Sequence, residues 1–160
     1  MIQFSLKFIV SSSGSVKEVA MKKKRALFVC THNSARSQMA EGFLRHLAGE
    51  RFEAMSAGTE ATEVRPEAVE VMREVGVDIS RQESKTLERY LGEPFDYVIT
   101  VCDQANEACP VFPGAGKRLH WSFPDPSAAR GGEEERLAVF REVRDRIRER
   151  IERELLASEG

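Results

Sequence analysis

Cysteine is scarce in this chain, with three in 160 residues. That is too few, and an odd number, for a scaffold stapled by disulfides, so the three read as reduced thiols of a cytoplasmic protein. A basic excess is missing too. The chain carries 24 Lys and Arg against 26 Asp and Glu, a formal net charge of −2. Nothing is left over to neutralise a phosphate backbone, so no nucleic-acid partner is expected. No apolar run approaches the ~20 residues that cross a bilayer, so no membrane association is expected. The three histidines, His32, His46 and His120, are not spaced from one another or from the cysteines as metal ligands would be, and no metal site is expected. What is present is an ordinary globular balance, 41% hydrophobic and 31% charged, in a length that suits one domain with a real core.

Residues 1–20 read differently from the rest. "FSLKFIV" is short and interrupted by Lys7, unlike a secretory signal, and "SSSGS" has linker composition. A second methionine, Met21, stands just before the first strong strand. Lys17-Glu18-Val19 can be encoded by a ribosome-binding sequence upstream of it. Residues 1–20 are therefore expected to be a flexible extension or an early start, with residues 21–160 forming the domain. An extra strand or a targeting segment is the alternative. "KKKR" (Lys22 to Arg25) reads as a solvated approach to that strand.

From there the pattern alternates. "RALFVC" (25–30), "FEAMSAG" (52–58), "DYVITVC" (96–102) and "KRLHW" (117–121) read as strands. Between them Met39, Phe43, Leu44 and Leu47 recur at helical spacing, with Gly49 to end the helix. Val69, Met72 and Val75 follow, with Pro66 at the start and Gly76 at the end. "LERYLG" suggests a short helix. Leu137, Phe140, Val143, Ile147, Ile151 and Leu155 form one stripe of a long last helix, its arginines and glutamates facing solvent. This alternation implies an α/β domain, a four-stranded parallel sheet with helices on both faces. Ligands of such sheets bind beyond the carboxyl ends of the strands, where Cys30 and Cys102 both fall.

"CTHNSARS" must turn sharply from strand to helix. Backbone N–H groups in such a turn converge, and the positive end of the helix adds to their field. Arg36 can close this cradle with a planar fork matched to a tetrahedral oxyanion. Thr31, His32, Asn33, Ser34, Ala35, Arg36 and Ser37 are thus the candidate substrate-binding residues. The same field favours the thiolate of Cys30, and Ser37 is placed to donate to it. Asn33 suits a left-handed turn residue. His32 either tunes the loop or is an exposed turn histidine. A thiol and an arginine where glycine-rich phosphate loops carry a lysine point to covalent attack on the anion. Alone, Cys30 also reads as a small buried hydrophobe.

Cys-x5-Arg-Ser after the first strand, with Asp125-Pro126 far downstream, resembles the low-molecular-weight tyrosine phosphatase superfamily. More closely, "CTHNSARSQMAEG", "SAGTEA", "EVGVDIS", "VCDQANEACP", "HW" and "DP" resemble the thioredoxin-coupled arsenate reductases, over roughly Lys24 to Ile151. The resemblance implies that Cys30 attacks the oxyanion while Asp125 protonates the leaving group. It implies further that Cys102 then attacks Cys30, that Cys109 attacks Cys102, and that thioredoxin reduces the resulting pair. No metal or organic cofactor is called for. A tyrosine phosphatase working through a phosphocysteine is the alternative, as is a plain turn for Asp125 and plain core for the other two thiols. His120 and Trp121 are expected to serve packing near the sheet's edge, with support of the acid loop as the alternative.

This chain departs from the family at two places. Ala35 stands where members commonly carry another loop cysteine. Some members bind potassium through Asn, Glu, Ser and Asp side chains; Asn33, Glu41 and Ser56 match, but Lys85 takes the aspartate position. The seven-residue separation of Cys102 and Cys109 carries its own requirement. Across a helix their α-carbons would stand about 10 Å apart, whereas a disulfide needs about 4.4–6.8 Å. A helical 102–109 segment must unwind to be oxidised, and Pro110, Pro113, Gly114 and Gly116 leave it free to do so. Protein isolated from its native host is expected to begin at Met21; a dominant mass corresponding to Met1 would overturn the early-start reading.

Overall fold

The structure is a computed structural model that describes residues 6–10, 16–20, 22–110, 112 and 115–157, the first two segments by their backbone. Strands β1 (Leu6–Val10) and β2 (Val16–Ala20) pair antiparallel, from Leu6 opposite Ala20 to Val10 opposite Val16. They make a ribbon of their own, separate from the main sheet. The linker reading of Ser11 to Ser15 and the start reading of Met21 lie outside the described residues.

The main sheet is built from β3 (Lys24–Cys30), β4 (Phe52–Gly58), β5 (Tyr97–Thr100) and β6 (Lys117–His120) in the order β4-β3-β5-β6. All three pairings are parallel. Successive strand residues point to opposite faces. Burial of every residue from Ala26 to Cys30, and of all four in β5, therefore means that both faces are covered. The third strand is shorter than its apolar run suggested. Val101 N–H still donates to Val29 O at 2.9 Å, but Cys102 already precedes a short helix, α3 (Asp103–Ala108), whose first turn draws the chain off the sheet.

Helix α1 (Arg36–Ala48) follows β3 and packs on β3 and β4; α2 (Pro66–Glu74) follows β4. Gly76, at φ 81°, takes the left-handed turn that ends the second helical segment. "LERY" forms a 3-10 turn (Leu87–Tyr90). The last helix, α4 (Glu133–Ile151), runs into a π-helical turn (Glu152–Leu156), and the six residues of its predicted stripe are all buried. The α2 stripe is corrected: Ala68, Val71 and Met72 are buried, while Val69 and Val75 lie at the edge of the core. The solvated face expected of α4 also has an exception. Arg144 is buried and donates to Val71 O at 2.8 Å and Glu74 Oε1 at 2.9 Å, and Arg141 grips the same carboxylate, so two arginines lock α4 onto α2.

From β3 the chain passes to β4 on one side, then crosses to β5 on the other side of β3. This reversal opens a crevice at the carboxyl ends of β3 and β5. Gly58 closes β4 against it. A Cβ there would stand 2.4 Å from Glu60 O, 2.7 Å from Thr31 O and 2.8 Å from Asn33 N. Those are backbone atoms of the segments that frame the crevice, and none can rotate aside. Gly58→Ala is expected to lower stability by about 1–3 kcal/mol and to weaken anion binding at the loop; unchanged urea midpoint and unchanged phosphate binding would show that the loop tolerates the displacement.

Candidate active site

Between Cys30 and Arg36 each carbonyl has a partner outside the loop's concave side. Cys30 O accepts from Thr59 N–H at 3.2 Å, and Thr31 O from Glu60 N–H at 2.8 Å. His32 O accepts from the hydroxyls of Ser84 at 3.0 Å and Thr62 at 3.3 Å. Asn33 O accepts from Gln38 Nε2 at 3.1 Å, and Ser34 O from Arg65 N–H at 2.8 Å. In a trans peptide the N–H points opposite to the carbonyl. Tying five carbonyls outward therefore turns the following N–H groups inward. They meet the unsatisfied N-terminal N–H groups of α1, which has no side-chain cap at Ala35.

Asn33 holds the sharpest point of this turn, with φ 49° and full burial. Its N–H reaches Cys30 Sγ at 3.2 Å, and its side chain donates to Ser37 Oγ at 2.8 Å. Ser37 Oγ in turn lies 2.8 Å from Cys30 Sγ. The sulfur thus sits among donors, an arrangement that favours the thiolate. Gln38 Nε2 donates to Asn33 Oδ1 at 2.8 Å, and Gln82 Nε2 reaches Gln38 Oε1 at 2.8 Å, so a buried amide chain fixes the loop from behind.

The loop borders a cavity of about 330 Å³, lined by Cys30, His32, Ser34, Ala35 and Arg36. Thr62, Arg65, Asp125 and Ser127 complete its lining. Arg36 donates to Phe123 O at 3.0 Å, and its other terminal nitrogen lies 3.9 Å from Asp125 Oδ1. Asp125 also caps its own 3-10 turn by accepting from Ser127 N–H at 2.9 Å, which holds the carboxylate at the cavity's rim. His32 is exposed, with Nε2 3.6 Å from Glu60 Oε2. Thr31 turns instead toward the second thiol, its Oγ1 3.4 Å from Cys102 Sγ.

All three cysteines are free and buried. Cys102 and Cys109 bracket α3, one before its first residue and one after its last. The segment between them is helical, so the two thiols stand at opposite ends of a wound element. Burial pushes the Cys109 thiol above its ordinary pKa, and the Arg118 guanidinium pulls the other way. His120 corrects an expectation. Trp121 is core, packed between Phe28 and Phe123, but His120 is exposed and hydrogen-bonded to Thr100 Oγ1 at 2.7 Å and Asp103 Oδ1 at 2.9 Å.

Behind the loop Lys85 is buried. Its ammonium lies 3.3 Å from Glu41 Oε1 and 3.4 Å from Ser56 Oγ, and it donates to Glu83 O at 2.9 Å. Lys85 N–H donates to Asn33 Oδ1 at 2.9 Å. One residue thus delivers a positive charge to Glu41 and a hydrogen bond to the loop.

Residues 25–158 match the family of low-molecular-weight phosphotyrosine protein phosphatases. The chain belongs to that family. Within it, the chain is 48% identical over 131 residues to an arsenate reductase of Halalkalibacterium halodurans, covering 82% of this chain and 94% of that one. Among solved structures it resembles an arsenate reductase in the phosphate-binding state, with a TM-score of 0.74 and 36% identity over 86% of this chain and 99% of that one. It also resembles a thioredoxin-dependent arsenate reductase from Corynebacterium glutamicum, with a TM-score of 0.59 and 35% identity over 82% of this chain and 61% of that one. The phosphatase-family cradle here is bounded by residues that sequence reasoning missed. Thr62, Arg65 and Ser84 come from segments without periodicity, and only their nearness to Pro66 or Lys85 hinted at a place beside the loop.

Activity is expected to be the same in potassium and in sodium, because the Lys85 ammonium fills the space between Glu41 and Ser56; a several-fold rise with potassium would refute this. Lys85→Met is expected to cost about 2–3 kcal/mol in urea unfolding, since Glu41 would stay buried with only Arg45 and Ser56.

Proposed function

We propose that the protein reduces arsenate to arsenite through Cys30, Cys102 and Cys109, with thioredoxin as the reductant, and that residues 21–160 carry the activity. The observation that carries this reading is the placement of the thiols: one inside an anion cradle, a second at the neighbouring strand end in contact with Thr31, and a third across a short helix. Phosphoryl transfer needs only the first. Arsenate has the shape and charge of phosphate, so the N–H groups and Arg36 would hold it equally well, but arsenic(V) accepts two electrons.

The Cys30 thiolate attacks arsenic, and Asp125 protonates the departing oxygen, which leaves as water. Cys102 then attacks Cys30 Sγ. The sulfur–arsenic bond breaks with its electron pair going to arsenic, arsenite leaves, and a Cys30–Cys102 disulfide remains. Cys109 attacks Cys102 Sγ, freeing Cys30 as thiolate and moving the disulfide to the 102–109 pair. A thioredoxin dithiol reduces that pair and resets the enzyme. No step calls for a metal or an organic cofactor.

A phosphatase reading is favoured by one observation, the Cys30, Arg36 and Asp125 set that both chemistries share. Against a tyrosine substrate stands the cavity wall: among the described residues it carries no aromatic ring, and Ser127 follows Asp125-Pro126. Slow hydrolysis of small aryl phosphates fits both facts.

Turnover with arsenate, thioredoxin, thioredoxin reductase and NADPH tests the relay. NADPH consumption is expected in the parent and is expected to vanish in Cys30→Ser and Cys109→Ser, while Cys109→Ser keeps aryl phosphate hydrolysis. An enzyme that ignores arsenate and hydrolyses aryl phosphate without Cys109 would be a phosphatase.

A further inference from the structure

Helix α3 raises a question that the relay does not answer. Six residues are far fewer than the ~12–15 that an isolated helix needs to persist in water. Neither of its ends has a side-chain cap from Cys102 or Cys109. Its one buried residue is Ala105, which contributes little apolar area. Something outside the helix holds it wound.

α3 packs on β3 and β5, where Thr100 Oγ1 donates to Asn106 Oδ1 at 3.3 Å, and two side chains of β6, the edge strand of the sheet, reach across to it. Arg118 and His120 are two apart on β6 and so share a face. His120 takes the first turn of α3: Nε2 lies 2.9 Å from Asp103 Oδ1, while Nδ1 is fixed at 2.7 Å by Thr100 Oγ1 on β5. That contact, with Ser122 adding to it, holds the Asp103 carboxyl below its ordinary pKa. Arg118 takes the last turn. Its Nη2 donates to Asn106 O at 2.9 Å, and its Nη1 reaches Cys109 O at 3.4 Å and Pro110 O at 3.5 Å. Asn106 O is one of the last-turn carbonyls a helix leaves without internal partners, and the other two belong to the residues that follow the helix. A guanidinium forked across them supplies both hydrogen bonds and the positive charge that a helix C-terminus favours.

We propose that Arg118 and His120 form a clamp on α3 that keeps Cys102 and Cys109 apart until the relay requires them, making both positioning residues for the thiol transfer. The proposal rests on the relay reading above. Its physical content is a balance. Joining Cys109 to Cys102 requires the helix to unwind, and unwinding requires release of the Asn106 and Cys109 carbonyls from Arg118 and of Asp103 from His120. The clamp is on the surface and polar, so its hold is modest and reversible. The strand side of the clamp stays in the sheet when it opens, so the movement is confined to α3 and the thiols at its ends. In the wound state Cys109 is buried behind it, which shields the third thiol from joining Cys102 prematurely.

The test uses the full chain with Cys30→Ser, so that the remaining two thiols react only with each other and with an added oxidant. Oxidised glutathione converts the dithiol to the Cys102–Cys109 disulfide and is itself reduced to two glutathione thiols; the disulfide is followed by mass after alkylation. Arg118→Lys keeps the charge near Cys109 but cannot fork across three carbonyls. Asp103→Ala opens the other end of the clamp and leaves the surroundings of Cys109 alone. Each is expected to form the disulfide about fivefold faster than its parent, the weight of roughly one hydrogen bond at a solvated site. Amide exchange is expected to quicken over Asp103–Ala108 alone, with the thermal midpoint unmoved. Parental or slower rates in both variants would overturn the clamp, as would faster exchange spread over the whole domain. Failure of the parent and the variants alike to form the disulfide would overturn the relay reading itself, and the clamp with it.

Discussion

The anion cradle depends on where five carbonyls point. A loop of N–H groups converging on one spot is unfavourable by itself, since aligned dipoles repel when no anion is bound. Here the repulsion is offset by hydrogen bonds on the outer side, from Thr59 and Glu60 after β4, Thr62 and Arg65 before α2, Ser84 further on, and Gln38 from α1 itself. All but Gln38 come from segments distant in sequence that the fold brings together. The chemistry of Cys30 is in this sense a product of the fold rather than of the loop. That is why Gly58, which does not line the cavity, matters to it: it lets β4 approach the loop closely enough for those bonds to form.

The sheet has a second role at the same edge. Because β3 and β5 are parallel neighbours, their carboxyl ends bring Cys30 and Cys102 to the same edge of the sheet, and Thr31 reaches the second thiol through its hydroxyl. The rigid part of the relay is therefore built into the core. The part that the proposed relay requires to move is α3, a six-residue helix contacted by Arg118 and His120 of the exposed edge strand. A rigid attack site and a loosely held shuttle suit a reaction whose first step needs alignment and whose last needs travel.

Much of this was legible in the sequence, and for identifiable reasons. Strands buried on both faces announce themselves as apolar runs, as "RALFVC" does for β3, and the helical spacing of its apolar residues marks the α4 stripe whole. The loop was legible because a thiol, a left-handed asparagine and an arginine at fixed spacing have few other uses. What stayed hidden depends on tertiary placement. The amide chain through Gln38 and Gln82 joins residues 44 apart, and no local pattern encodes it. Arg118 looks like any edge-strand cation until α3 is seen beneath it. His120 is expected from sequence to serve packing near the sheet's edge, but strand alternation puts it on the face opposite Trp121, where it meets Asp103. In α2, Val69 gave way to Val71 because the helix presents Ala68, Val71 and Met72 to α4 and the core, with Arg144 of α4 bonded to Val71 O.

Lys85 bears on how the cradle comes to be complete. Its carbonyl accepts from Gly58 N–H at 2.8 Å, its N–H holds Asn33, and its ammonium meets Glu41. The same short stretch of chain thus docks beside β4, pins the turn and carries in the countercharge. A cation drawn from solution would impose a binding equilibrium, with some fraction of molecules vacant at any moment. A cation carried on a side chain has fixed stoichiometry and no vacancy. The cradle is finished when the chain finishes folding, and every folded molecule is armed alike.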